Sequence, residues 1–254
     1  MKEKKETILV IGGHDPTGGA GIQADIETIT SFNCHAVTLI TCLTSQNTSE
    51  FKSSYSINKR VFQSQAEFLL KDIKAKVVKI GALGNGLVEP IISILNEVGD
   101  IPIVYDPVVF TSSGGQMSSQ KTQSKSKELL LKRTKLITPN LAEIYQLTKS
   151  DSLEQAIKLF VKYGCSYILC KDLKPESRLI VNRLYKKNEL INEWEINRID
   201  GSFHGTGCNL SSAIASNIAK GIEMKVAIDE AIDFVNRKIT NSLNIGKGSN
   251  ILKA

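Results

Sequence analysis

Ile8-Leu9-Val10-Ile11, followed at once by Gly12-Gly13-His14-Asp15-Pro16-Thr17-Gly18-Gly19-Ala20-Gly21-Ile22-Gln23-Ala24-Asp25, reads as a buried strand that ends in a polar, glycine-rich loop and feeds a helix. Such a unit puts a ligand site at the carboxyl end of a parallel strand in an α/β sheet. By its letters Gly19-Ala20-Gly21-Ile22-Gln23-Ala24 fits a dinucleotide fingerprint. The intervening His14-Asp15-Pro16-Thr17 places its first glycine too far past the strand, which disfavours a nicotinamide oxidoreductase. No Walker-type lysine follows a suitable glycine spacing, which disfavours a P-loop nucleotidase.

Outward from this unit, apolar runs and helical periodicities alternate. Strands are expected over 8–12, 36–43, 77–80, 102–106, 135–138 and 166–170, and helices over 20–32, 59–73, 85–98, 120–132, 141–148, 152–163, 207–220 and 224–242. Strands separated by helices form βαβ units, hence an α/β fold with a mostly parallel sheet covered on both faces. Residues 178–198 alternate polar and apolar side chains around Lys186-Lys187-Asn188 and predict an antiparallel edge ribbon. The Ser-, Gln- and Lys-rich stretch from Ser112 to Lys127 predicts a mobile loop grading into a helix. No linker-like composition divides the chain, so residues 1–254 are expected to form a single domain.

The net charge of +6 comes from dispersed lysines without interleaved aromatics, a poor match to a nucleic-acid surface and compatible with phosphorylated ligands. A charged start and the absence of any apolar run near 20 residues argue against a secretory leader or a membrane span. Five cysteines without a Cys-x-x-Cys pair suit a reducing cytoplasm, and Cys34, Cys42, Cys165 and Cys170 fall in apolar settings expected to be core.

A second glycine motif, His204-Gly205-Thr206-Gly207-Cys208, opens the helical run Asn209-Leu210-Ser211-Ser212-Ala213. Unpaired N–H groups and the positive end of the helix dipole make its first turn an anion site, and the same field is expected to lower the Cys208 thiol pKa. The alternative is a tight loop with a packed cysteine.

The strings GGHDPTGGAGIQAD (12–25), LTSQNT (43–48), KIGAL (79–83), YDPVV (105–109), TPNLAE (138–143) and HGTGCNLSSA (204–213) stand in an order that resembles the hydroxymethylpyrimidine/phosphomethylpyrimidine kinases of thiamine biosynthesis, in the ribokinase superfamily. The resemblance implies a three-layer αβα sandwich with a mostly parallel sheet and a small antiparallel edge ribbon. It also implies ATP and Mg²⁺ as cofactors, a small pyrimidine as acceptor, and a homodimer. Carried over residue by residue, Gly205, Thr206 and Gly207 form the anion hole and Cys208 is the base. Gly13, Asp15, Gln46, Ala82 and Val109 hold the pyrimidine. Asn140, Glu143 and Lys171 serve the nucleotide, with Glu143 at the metal. Asp15 alone is also a turn former, and Asn140-x-x-Glu143 alone is also a helix capping box.

This chain departs from the family pattern at three places. Ala82 replaces a usual methionine and is expected to reshape the pocket wall. Ser112 stands where a lysine is usual. Lys171-Asp172-Leu173-Lys174 replaces a Lys-Gly-Gly-His element, so Asp172 is expected to set a negative charge near the phosphates, and the lost lysine and Asp172 together are expected to favour the alcohol over its monophosphate as acceptor. A pyridoxal kinase and a non-catalytic vitamer-binding protein are the competing functions.

Overall fold

The computed structural model describes residues 5–111 and 115–252, so Ser112 lies outside the described residues. Strand β1 (Thr7–His14) sends Leu9 and Ile11 into one core and Ile8 and Val10 into the other, all four fully buried. A strand apolar on both faces requires a layer on each side. Those layers follow along the chain: α1 (Gly21–Ser31), β2 (His35–Gln46), β3 (Phe51–Ser56), α2 (Lys59–Asp72), β4 (Val77–Ile80), α3 (Val88–Val98), β5 (Ile103–Tyr105), α4 (Gln120–Lys125), β6 (Leu136–Ile137), α5 (Leu141–Thr148) and α6 (Leu153–Lys162). After β7 (Tyr167–Cys170) come β8 (Leu179–Lys186), β9 (Glu189–Asn197), β10 (Phe203–His204), α7 (Thr206–Ala219), α8 (Met224–Thr240) and β11 (Asn250–Ile251).

Nine strands form one sheet in the order β3-β2-β1-β4-β5-β6-β7-β8-β9, with β2, β1, β4, β5, β6 and β7 mutually parallel. Phe62 of α2, Ile91 of α3, Ile144 of α5 and Phe160 of α6 fill the core on one face, while Ile29 of α1, Ile214 of α7 and Ile228 of α8 fill the other. The expected three-layer sandwich is therefore present, and the β8–β9 ribbon lies at one edge as expected. The strand order reverses around β1, which lies between β2 and β4. Ligands collect at the carboxyl ends of strands beside such a reversal.

Three local expectations differ. β2 runs on to Gln46 and pairs antiparallel with β3, a hairpin that its Ser- and Thr-rich, half-exposed sequence did not announce. The helix expected over 120–132 is α-helical only to Lys125, then widens to a π turn over Ser126–Leu130 and tightens over Leu131–Arg133, which brings both Leu130 and Leu131 into the core. The two-residue strands β10 and β11 are too short for a periodic signal. Among the described residues no helix is long and apolar enough to cross a membrane.

Candidate active site

The two glycine loops interlock. Gly205 has φ +81°, and a Cβ there would lie 1.9 Å from the Gly19 carbonyl oxygen. A Cβ on Gly21, with φ +60°, would lie 2.3 Å from the Gly13 carbonyl oxygen. These glycines admit backbone against backbone, a close approach between loops that lie far apart in the sequence. Asp15 joins the loops through its side chain: Oδ1 accepts from the Thr17 amide at 2.9 Å, and Oδ2 accepts from the Ala20 amide at 3.0 Å and lies 2.8 Å from His204 Nε2.

Asp15 lines the cavity, yet both its oxygens are engaged within the protein, as the turn-forming alternative requires. Burial alone would raise its pKa, but the bonds from His204, Thr17 and Gln46 outweigh that and hold it at about 2. A carboxyl held below its ordinary 3.8 adds stability that is complete above that value and lost as pH falls through 2. Asp15→Asn is expected to cost about 2 kcal/mol at pH 7, a difference that shrinks toward pH 2. Urea denaturation of parent and variant at both pH values checks this, and an undiminished difference at low pH contradicts it.

The first cavity lies at the carboxyl ends of β1, β4 and β5, bounded by Gly13, Asp15, Gln46, Ala82 and Val108. Its volume is about 220 Å³, the room of roughly seven waters at about 30 Å³ each. Val109 does not reach it; its side chain turns into the core while Val108 faces the cavity, because successive residues of an extended segment point to opposite sides. Ala82 packs with Cys42 and Met117, so a methionine from another segment meets the wall that Ala82 leaves short. A Cβ on Gly13 would lie 2.9 Å from Cys42 Sγ, at the point where the β1–β2 register shifts.

A second cavity, about 580 Å³, opens on the other side of the α7 N terminus, with Leu210, Val235 and Ile239 among its apolar walls. Asn140, Lys171, Phe203, Thr206 and Gly207 line both cavities. The first bond within α7 runs from the Asn209 amide to the Gly205 carbonyl at 2.9 Å, so the Thr206, Gly207 and Cys208 N–H groups have no acceptor in their own helix. They mark the junction as an anion site.

Charges surround it. Lys171 Nζ lies 2.8 Å from Asp106 Oδ1, which also accepts from Thr138 Oγ1 at 3.1 Å. Burial opposes ionisation of Asp106, but Lys171 and Lys79 prevail and hold its carboxyl below the usual range. Asn140 and Glu143 form the reciprocal capping box of α5, each side chain accepting from the other's amide at 2.9 Å. Glu143 lines the first cavity as well, and burial pushes its carboxyl up to about 7 against the pull of Lys171. Beneath the cavity Lys79 and Asp25 make a fully buried pair at 2.7 Å, and Ser212 Oγ donates to the same Asp25 oxygen at 2.7 Å.

Two electrostatic expectations are corrected. Burial pushes the Cys208 thiol up to about 12, Lys79 and the Gly21 amide opposing the rise and Asp25 and Asp106 adding to it, so at neutral pH this residue rests as a thiol. The local helix-terminal field was read without that burial. Asp172 has φ +47° and lies in a forked pair with Arg198, Oδ1 at 2.5 Å from Nη2 and Oδ2 at 3.2 Å from Nη1. Its charge is matched, which removes Asp172 from the electrostatic reason for expecting the alcohol over the monophosphate; the other part of that reason, the lysine replaced by Ser112, lies outside the described residues.

Sequence reasoning assigned no role to Asp106, Lys79, Asp25, His204 or Arg198. Asp106 was marked by its place at the carboxyl end of an apolar strand, and Lys79 by a charge inside one. Arg198 and His204 act through partners 26 and 189 residues distant and carried no local signal.

The layers, the sheet order and a site at the reversal of that order are those of the ribokinase-like α/β class. Within that class the chain belongs to the phosphomethylpyrimidine kinase family, which matches residues 15–253. A hydroxymethylpyrimidine/phosphomethylpyrimidine kinase of Bacillus subtilis is 30% identical over 247 residues, 94% of this chain and 91% of that protein. One from Saccharomyces cerevisiae is 32% identical across 96% of this chain but 48% of its own length, so this chain spans about half of the yeast protein. Among solved structures, an ADP complex of Bacillus subtilis pyridoxal kinase superposes with a TM-score of 0.88 at 27% identity, covering 98% of this chain and 97% of that one.

Proposed function

We propose that this chain transfers the terminal phosphoryl group of ATP to 4-amino-5-hydroxymethyl-2-methylpyrimidine, to its monophosphate, or to both, the chemistry of thiamine biosynthesis. One observation carries it: a small cavity and a larger one meet at the N terminus of α7, sharing Lys171, Thr206 and Gly207 at their junction. A one-ring acceptor suits the first, and a nucleotide suits the second. The names of the relatives agree with this assignment.

The acceptor ring rests beside Gly13, Gln46 and Ala82, with Gln46 able to donate and accept at the ring edge. Thr206, Gly207 and Cys208 amides with Lys171 meet the charge on the transferred group, which is the larger part of catalysis in a phosphoryl transfer. Cys208 first releases its own proton to water and, as the thiolate, takes the alcohol proton while the new oxygen–phosphorus bond forms and the bond to the leaving ADP breaks.

A magnesium ion is typically held by few carboxylates, with water and nucleotide phosphates completing its shell. Glu143, reluctantly ionised, and Asp106, ionised, both line the first cavity and are the carboxylates that would hold the ion. Held there, a magnesium ion would supply positive charge against the phosphates of the nucleotide. We take residues 1–254 as one domain, located in the cytoplasm, which suits five unpaired cysteines, and as a homodimer, which light scattering tests.

Pyridoxal is a second acceptor, favoured by the 27% identical pyridoxal kinase. Purified protein assayed with Mg²⁺-ATP and each of the pyrimidine alcohol, its monophosphate and pyridoxal decides among them; ligand binding without ATP turnover returns the vitamer-binding alternative. Cys208→Ala is expected to lower kcat by about 10²-fold or more with acceptor KM little changed. An unchanged kcat removes the thiol from the proton transfer.

A further inference from the structure

After α8 the chain turns back and touches two segments, one at the β2–β3 end of the nine-stranded sheet and one in the separate stretch before α7. One is the tip of the β2–β3 hairpin, where the Asn47 side chain accepts from the Ser49 and Glu50 amides at 2.8 Å and shapes the turn. Thr48 at this tip accepts from the Gly248 amide through Oγ1 at 3.1 Å and from the Ser249 amide through its carbonyl at 2.9 Å. A Cβ on Gly246 would lie 2.2 Å from Thr48 Oγ1, and one on Gly248 would lie 2.0 Å from the Thr48 carbonyl oxygen. Both glycines serve close approach.

The other segment leads into the anion site. Ser249 Oγ lies 2.7 Å from Ser202 Oγ, and the Asn250 amide donates to the Ser202 carbonyl at 2.8 Å. β11 then pairs in parallel with β10, Asn250 against Phe203 and Ile251 against His204, directly before Gly205. Ile251 also packs over Gly19, whose Cβ would lie 3.1 Å from its side chain. Residues 248–251 thus grip the hairpin on one side and the loop before α7 on the other.

We propose that Gly248–Ile251 is a staple that fixes the β2–β3 hairpin against the anion-hole loop, with Thr48 and Ser249 as positioning residues for acceptor recognition. The pairing of β2 with β1 ends at Leu43, so the tip of the hairpin projects past the sheet on β2–β3 pairing alone, and it carries Thr44 and Gln46 into the first cavity. Acceptor oxygen and phosphoryl group must meet in near-attack geometry, and a displacement of about 1 Å costs on the order of 10²-fold. One strap across both segments sets their separation. The kinetic consequence rests on the phosphotransfer reading above; the structural one does not.

The test uses the full chain with Thr48→Val, which removes the hydroxyl and keeps the shape, Thr48→Ser, which keeps the hydroxyl, and Gly248→Ala, whose Cβ would push against the Thr48 carbonyl. Hydrogen exchange across residues 44–56 is expected to quicken several-fold in Thr48→Val and about tenfold in Gly248→Ala. Acceptor KM rises by the same factors, while ATP KM stays within about twofold and Thr48→Ser restores parent values. Unchanged exchange in both Thr48→Val and Gly248→Ala overturns the staple, as does a parallel rise in acceptor and ATP KM with a lowered melting temperature. Absence of turnover by the parent with every acceptor defeats the phosphotransfer reading, and hydrogen exchange then still decides the staple.

Discussion

Lys171→Met is expected to lower kcat by about 10²–10³-fold, the usual cost of removing one preorganised group that meets charge in the transition state. Its ammonium lies against the anion site: a Cβ on Gly207 would be 3.2 Å from Nζ, and the residue borders both cavities. The charge that grows as the phosphoryl group leaves ATP therefore forms beside a fixed cation in a water-poor setting, where it counts for more than in bulk solvent. Lys171 also holds Asp106 at 2.8 Å. Without it, two buried carboxyls face one another, and breaking such a pair costs on the order of 3–5 kcal/mol. Glu143, already at about 7, rises further and takes up a proton, which blunts part of that loss. Arginine does not replace it, since a planar fork does not fit a site shaped for a compact ammonium. Steady-state kinetics and thermal melting separate the two effects, and a kcat within threefold of the parent excludes Lys171 from phosphate handling.

Gly205→Ala is expected to destabilise the fold by about 3 kcal/mol or more and to reduce kcat at least 100-fold. The left-handed backbone there disfavours any side chain, and the new Cβ would overlap the Gly19 carbonyl oxygen at 1.9 Å. Relief requires the two glycine loops to part, which displaces the Thr206, Gly207 and Cys208 amides from the junction of the cavities. Gly221→Ala is the matched control: its φ is +82°, but nothing lies within 4 Å of its Cβ position. That variant carries the backbone penalty alone, about 1 kcal/mol, with activity retained. Urea denaturation and kcat of the pair test the interlock, and equal behaviour of the two variants would show that close approach at Gly205 is unimportant.

The elements were legible because their causes are local. Ile8-Leu9-Val10-Ile11 is apolar on both faces of a strand, and the glycine loops after it and before Asn209 mark turns that side chains would obstruct, so strand, loop and helix follow from backbone sterics and periodicity within a few residues. The capping box at Asn140 and Glu143 is of the same kind. Hairpin β2–β3 was not legible, since its half-exposed Ser and Thr residues pair without an apolar alternation. The polar sites divide along the same line. Gly13, Gln46, Lys171 and Gly205–Cys208 were named from motifs, and the fold gathers them at one cavity. What each group does there depends on partners that sequence proximity does not supply: Asp15 is satisfied by His204, 189 residues away, and Asp172 is matched by Arg198, 26 residues away. The Cys208 thiol is governed by burial among Lys79, Asp25 and Asp106 more than by the helix it begins. The sequence alone determined the layers, the loops and the residue types available for phosphate and ring recognition, because hydrophobic period and backbone freedom act over a few residues. Only the tertiary structure decided which charges are paired, which thiol is protonated and which glycines touch backbone, because burial and Coulomb attraction depend on distances between segments far apart in the chain.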